Sequence, residues 1–437
     1  MNTYLKKAIN IILMLIGFVC YANAQQRLYV CNGYSYDTYE VNNDADIKMD
    51  GTDSVVIAGT KYGLDKVDSI TFSEPQYRKV VIKYANGAAT VTIPSSMSGV
   101  TCTSGNNSHV VINNTNTTEE YMYSIEGESS DGSLEINGSF KFTLELNGVS
   151  LTNKNGPAIN LQCGKRIDII LKEGTVNNII DSKNGDHKAA FYAKGHLEFK
   201  GAGTLNVTGY TKHALAAKEY IILKASVGNI NILGAENGDG IHCGKGIANS
   251  DKNYFQMNGG NLTIQNCGSD CIDSDDYGCV LIKGGKITID VIGRDVSAIL
   301  CDSIFTMTGG DIDITIGSIL SSGIHANYEG YFNGGTLKTL IKSGANGSRG
   351  IRIKKVKKTD ATVKDGGNLY FNGTDVNMSI FANTEVTQNQ PCIGIKADKK
   401  LTITSGNLNI DIDANSNATG FSYESIDHQG GQYSTNK

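Results

Sequence analysis

Four segments of this sequence carry most of the side chains able to do chemistry. They read GDGIHCG at 238–244, SDCIDSD at 269–275, VSAILCD at 296–302 and SSGIHAN at 321–327. Aligned on Ile241, Ile272, Ile299 and Ile324, they place a small residue two positions later, at Cys243, Ser274, Cys301 and Ala326. Side chains alternate sides along a strand, so these two positions read as one inward face. The outward positions are then His242, Asp273, Leu300 and His325, followed by Gly244, Asp275, Asp302 and Asn327. Two residues before the isoleucine stand Asp239, Asp270, Ser297 and Ser322, and Asp276 extends the acidic group.

Stacking such segments brings carboxylates side by side. Two like charges ~4 Å apart repel by ~4 kcal/mol at an effective dielectric of 20. The arrangement therefore asks for a counter-ion, a proton or strong solvation. Calcium suits it, as a hard cation that takes six to eight oxygens in flexible geometry, whereas magnesium usually keeps fewer protein ligands. Asp270, Asp273 and Asp275 lead the candidate ligands, followed by Asp302, Asp239 and Asp276. The alternative is a solvated acidic patch on turns, where Asp is common. His242 and His325 share one outward position and read either as ligand contacts or as plain surface histidines. Further along, IRIKKVKK at 351–358 continues the two outward columns with Arg352 and Lys354. Arg grips carboxylates bidentately and Lys supplies a point charge, so this end suits an acidic polymer. A solvated lysine loop is the alternative.

The elements that must hold these residues announce themselves as a repeat. NGGNLTI at 258–264 recurs as KGGKITI at 283–289, TGGDIDI at 308–314 and NGGTL at 333–337. The second glycines, Gly260, Gly285, Gly310 and Gly335, are 25 residues apart. Looser copies surround Gly203 and Gly228, then Gly367 and Gly406. The alternation after each glycine pair has a period of two and predicts strand. The glycines predict corners with positive φ. One such repeat has nothing to bury its apolar side against, whereas a stack does. The predicted fold class is all-β, a single-stranded parallel β-helix of three short strands per coil. About ten coils between residues 80 and 425 would stack to ~48 Å at ~4.8 Å per layer. A propeller blade needs ~40–45 residues, which is too long for this period.

Residues 1–24 read as a secretory signal peptide. Lys6 and Lys7 precede an apolar run, and Ala22-Asn23-Ala24 forms a small-residue cleavage site. A lipoprotein reading would instead modify Cys20. Either way the expected location is secreted or cell surface. Residues 25–78 lack the repeat and are expected to form a small N-terminal module ending near Pro75. Residues 79–425 are the expected β-helix, and 426–437 a loose tail. Gly numbers 51, Pro only 4, and the formal charge is −5. This acidic balance speaks against nucleic acid as a partner. No apolar run after residue 24 approaches the ~20 residues of a transmembrane helix. Nine cysteines lie beyond the leader, without zinc spacing, and read mainly as small buried hydrophobes.

Four stretches carry a family resemblance: LELNGVSLT at 144–152, GTVNNIID at 174–181, HLEFKGAGTL at 196–205 and GDGIH at 238–242. In these the chain resembles secreted bacterial carbohydrate-binding proteins of the clostridial cellulose- and pectate-binding type. The resemblance implies a right-handed parallel β-helix, bound calcium, kinship with family 9 polysaccharide lyases and affinity for acidic sugars. It implies that the acidic cluster at 270–276 corresponds to that group's calcium region.

Three functions are consistent with these residues. The first is a calcium-dependent, non-catalytic protein that binds uronate-containing polysaccharide. The second is a lyase, in which calcium on the uronate carboxylate acidifies the neighbouring C–H and a Lys or Arg takes the proton. Lys283 and Arg294 are the nearest cations in sequence, but neither falls on the outward columns. Arg352 does, about three coils or ~14 Å away. No catalytic residue is assigned on this basis. The third is an adhesin or scaffold that self-associates through open coil edges. The sequence has no Trp. This disfavours the aromatic platforms that grip flat neutral sugars.

Overall fold

The computed structural model describes residues 26–32, 35–41, 47–67, 69–71, 78–103, 107–244, 253–355, 366–382 and 391–437. The expected signal peptide, Cys20, Pro75 and residues 356–358 lie outside them. The described residues contain strands and no helix, and none offers a helix long and apolar enough to cross a membrane.

The chain divides into two compact units. The described residues up to Lys79, with Pro94–Met97, form the first. Here Gln26–Asn32 pairs antiparallel with Ser35–Val41 and Ser69–Thr71, and Ile47–Asp50, Ser54–Ile57 and Thr60–Gly63 form an antiparallel meander. Leu28, Val30, Val55, Ile57, Leu64 and Val67 make its core.

The second unit, Val80–Ile93 with Ser98–Lys437, is built on another plan. From about residue 159 onward, each strand pairs in parallel with the strand three places further along the chain. The chain thus lays down tiers of three strands, one tier per strand spacing of ~4.8 Å. One strand position builds a sheet of 13 strands, and the other two are joined into a sheet of 24. Side-chain alternation sets what each tier buries. In Lys286–Val291 the inward Ile287, Ile289 and Val291 are buried while Lys286 and Asp290 are exposed. Ile287 pairs with Ile312, which pairs with Leu337 and then Val376, so like residues stack into continuous apolar columns.

The glycine pairs form the corners, and the corners are tight. Gly260, Gly285, Gly310 and Gly335 have φ of 78°, 88°, 88° and 83°. A Cβ on Gly335 would stand 2.4 Å from the carbonyl oxygen of Gly310 in the tier before. Gly344, by contrast, has φ 87° and no atom within 4 Å of such a Cβ. Gly344→Ala is expected to cost only the ~1–2 kcal/mol of a left-handed backbone. Gly335→Ala adds a backbone clash and is expected to cost about 3 kcal/mol or more. Denaturant midpoints of the two variants check this difference, and equal losses would show that the corners have slack.

The chain end departs from expectation. In place of a loose tail from 426, Ser425–His428 pairs with Lys400–Ser405, and Gln432–Asn436 pairs with Asn407–Ile412.

Candidate functional site

The face of interest is made by successive strands of the 13-stranded sheet: Ala189–Ala193, His213–Ala217, Ile241–Cys243, Ile272–Ser274, Ser297–Cys301, Ser322–Ala326 and Arg349–Ile353. Leu215, Ile241, Ile272, Ile299, Ile324 and Ile351 stand in one column. The adjoining outward column reads Tyr192, Ala216, His242, Asp273, Leu300, His325, Arg352. The register is the one that alignment on the isoleucines requires.

Outward does not mean exposed. Asp239, His242, Asp273 and His325 are all at least nine-tenths buried, along with His213, which motif alignment missed. His242 lies at the centre. Its Nδ1 is 2.9 Å from Asp239 Oδ2 and 3.2 Å from Asp273 Oδ2, so one N–H is shared between two carboxylates. Its Nε2 is 4.0 Å from Asp275 Oδ2. The His213 ring stacks on it at 4.2 Å and 14°. His213 Nδ1 lies 3.0 Å from Asp239 Oδ2 and 3.1 Å from the Asp239 backbone nitrogen. One tautomer of His213 donates to the carboxylate, and the other accepts from the amide.

Backbone amides hold the neighbouring acids. Asp270 N–H donates to Asp239 Oδ1 at 3.1 Å, and Ser297 N–H donates to Asp270 Oδ1 at 2.6 Å. Each aspartate two residues before its isoleucine is thus tied to the tier that follows.

The charges respond to this crowding. Burial opposes ionisation of Asp239, but the hydrogen bonds from His213 and His242 outweigh it and hold Asp239 well below the usual carboxylate range. Burial likewise opposes the charge on His242, and its bonds to Asp239 and Asp273 outweigh it and raise the imidazole to about 9. Burial pushes Asp270 up to about 7 and Asp273 up to about 6. Burial also lowers His213. At neutral pH one imidazolium therefore faces the carboxylates of Asp239 and Asp273, with Asp275 Oδ2 4.0 Å from its Nε2. Asp273 Oδ1 is buried without a hydrogen-bond partner.

The structure redistributes the expected site. Among the described residues, two groups offer potential ligand atoms within 4.8 Å of one another: His213, Asp239, His242, and His242, Asp273, Asp275. Asp239, expected as a metal ligand, belongs to the first group, where two imidazoles and an amide also engage its carboxylate. The counter-ion that the crowded acids require is partly the protein's own His242. Asp302 sits in the tier after Asp275, and its Oδ1 accepts from Asn327 Nδ2 at 3.1 Å, so Asn327 serves Asp302. The carboxylate of Asp276 belongs to neither group. Its carbonyl accepts from Asn253 Nδ2 in a turn where Asp276 and Tyr277 both have positive φ, 53° and 64°. Such a conformation is uncommon for residues other than glycine.

His325, Arg352 and Lys354 lie two to three tiers beyond Asp273, outside the cluster. His325 is no surface histidine. Burial and the charges of Lys354, Arg352 and Arg349 push it down to about 3, so it stays neutral. Burial and neighbouring positive charge also lower Arg352 and Lys354, and Asp398 offsets part of that charge.

Aromatic side chains form ladders elsewhere, with ring faces turned on one another. His196, Tyr220 and Tyr254 stack at 4.2 and 4.8 Å, and Tyr331 stacks on Tyr370 at 4.8 Å. Ring faces that cover one another offer no flat platform to a sugar.

Parallel ladders carrying one charged face define a stacked all-β scaffold. The sequence places it further: residues 106–437 match the carbohydrate-binding domain-containing protein family, and the chain belongs to that family. A carbohydrate-binding domain-containing protein of Acetivibrio thermocellus is 26% identical over 125 residues, covering 26% of this chain and 43% of the relative. The match thus spans less than half of that relative's length. Among solved structures, a gadolinium derivative of the polysaccharide lyase-like protein from C. thermocellum is similar at 20% identity with a TM-score of 0.46. That match covers 63% of this chain and 96% of the other.

Proposed function

We propose that this protein is a secreted, calcium-dependent binding protein for acidic, uronate-containing polysaccharide, built on a right-handed single-stranded parallel β-helix. One observation carries the reading. An outward face crowds three aspartates around a single imidazolium and leaves Asp273 Oδ1 buried with no hydrogen-bond partner. That buried carboxylate oxygen lacks a complement, and a divalent cation is its natural one.

The donor set fits calcium at one edge only. Asp273 and Asp275 supply oxygens there, while the His213, Asp239 and His242 group is rich in nitrogen and already satisfied. Calcium takes six to eight oxygens, so two carboxylates leave positions for water and for sugar oxygens. When bound, the ion supplies positive charge that a uronate carboxylate can share. The protein's own residues do the rest: His242 fixes the Asp273 carboxylate, and the Asp270 amide fixes Asp239, which orients His242.

A lyase reading needs a base within one hydrogen bond of the proton it removes. In the column of Asp275, Lys218 stands two tiers away on one side and Lys354 three on the other. At ~4.8 Å per tier neither reaches a sugar held at Asp273 and Asp275. Incubating the mature chain with polygalacturonate, with and without calcium, tests both readings. Calcium-dependent retention on the affinity gel without absorbance near 235 nm is expected. Rising absorbance that chelation abolishes would establish the lyase instead, and no retention would end the binding reading.

A further inference from the structure

The same face holds a second feature two tiers before the acidic cluster. Asn160, Gln162, Tyr192, Lys188, Lys194 and Lys218 line an open pocket of about 410 Å³. Its floor continues the outward column of His242, because Asn160 pairs with Tyr192, Tyr192 with Ala216, and Ala216 with His242. Lys194 and Lys218 stand on the next outward column, the one that carries Asp275 two tiers on.

Three amines share this pocket, and none is within salt-bridge distance of a carboxylate among the described residues, although Lys183, Lys200 and Lys224 nearby are all paired. The acids that bond to lining residues are already engaged. Glu135 accepts from Asn137 and Asn160, at 2.9 and 2.8 Å. Asp181 is held by His187 Nε2 at 2.6 Å and by the Tyr210 amide at 2.6 Å. Lys188 Nζ lies 5.3 Å from the centre of the Tyr192 ring, which braces that amine over the pocket. Burial raises the half-buried Tyr192 phenol, and the charges of Lys218 and Lys194 oppose that rise. His187 also lines the pocket, and its Nδ1 is buried without a hydrogen-bond partner.

Unpaired amines gathered in a hollow repel one another and attract an anion. Amide, phenol and imidazole groups beside them suit hydroxyl-rich ligands. We infer that this pocket is an anion subsite for the carboxylate of a uronate residue, in a polysaccharide that also crosses the Asp273 and Asp275 edge. The inference rests on the acidic-polysaccharide reading above and adds a contact independent of calcium. The ligand runs along the columns, over amines first and carboxylates next.

The test uses the full mature chain in low-salt buffer with chelator, so that any calcium site is silent. Retention on gels containing polygalacturonate is compared for the parent and for Lys188→Gln with Lys194→Gln and Lys218→Gln. A charge-matched control replaces the exposed Lys283, Lys286 and Lys338 by Gln on another face. Three partly exposed amine contacts at up to ~1 kcal/mol each predict an affinity loss of about tenfold or more for the pocket variant. The control and the Lys→Arg version of the pocket are expected to stay close to the parent, and circular dichroism confirms that each is folded. Equal retention of pocket variant and control would overturn the subsite alone. No retention of the parent, with or without calcium, would overturn the polysaccharide reading and the subsite together. Gels with methyl-esterified polygalacturonate or dextran sulfate separate the sources of charge: loss of retention on the ester supports a carboxylate ligand, and stronger retention on dextran sulfate overturns it in favour of sulfate.

Discussion

Asp239→Ala is expected to be the most damaging single change in the candidate site, lowering stability by about 3–5 kcal/mol. Asp239 Oδ2 meets both His213 and His242, and Oδ1 accepts the Asp270 amide. Its removal strands an imidazolium and an amide in a buried place and opens a void between tiers. The exposed Asp311→Ala is expected to stay within about 0.5 kcal/mol of the parent. Thermal or denaturant unfolding of both variants checks the contrast, and similar losses would mean that the network is incidental.

The pH dependence of that difference has a definite sign. Asp239 is lowered on folding, so its contribution is present above the ordinary carboxylate pKa of 3.8 and is lost as pH falls below it toward the folded value. His242 is raised from 6.5 to about 9, so its contribution is full below 6.5 and is lost as pH rises through about 9. Asp270 and Asp273 act the other way. Raised from 3.8 to about 7 and about 6, they erode stability as pH climbs through that interval. His213, lowered by burial, costs stability below 6.5. The gap between parent and Asp239→Ala is therefore expected to hold between about pH 4 and 6.5, to narrow as pH rises from 6.5 through about 9, and to narrow again below pH 4.

The second large effect concerns the metal. Asp273→Asn combined with Asp275→Asn is expected to abolish calcium binding. Saturation at about a hundred times Kd stabilises the parent by ~2.7 kcal/mol, and that gain should vanish in the double variant. Calcium-dependent retention on uronate gels should vanish with it. Protons compete for the same oxygens, so affinity in the parent is expected to rise with pH as Asp273 ionises near 6. Calorimetric titration decides the matter: an unchanged isotherm for the double variant would remove Asp273 and Asp275 from the site.

Much of the scaffold was legible because the repeat is strict where the backbone has no slack. Gly310 and Gly335 keep the 25-residue spacing because a side chain there meets the previous tier. Ile241, Ile272, Ile299 and Ile324 revealed the register because each fills the same inward place. The electrostatics were less legible. Strand alternation tells which side a residue takes but not how deeply neighbouring tiers cover it, so Asp239, His242 and His325 read as surface groups and are buried. His213 escaped notice because its tier, KHALAAK at 212–218, carries no aspartate to mark it. Tyr192, Lys194 and Lys218 were missed because the alignment began at residue 238. Extending it back through Leu215 and Phe191 would have placed all three.

The order of charges along this face has one more consequence. Amines at Lys188, Lys194 and Lys218 come first, the aspartates follow, and Arg349, Arg352 and Lys354 come after, with Lys396 one tier further on. Amine and guanidinium are different chemistries, so the face has a head and a tail. A polysaccharide also has two unlike ends. Laid one way and then reversed, it would present each carboxylate to a different partner. On the proposed reading, the scaffold would distinguish the direction of a strand as well as its charge.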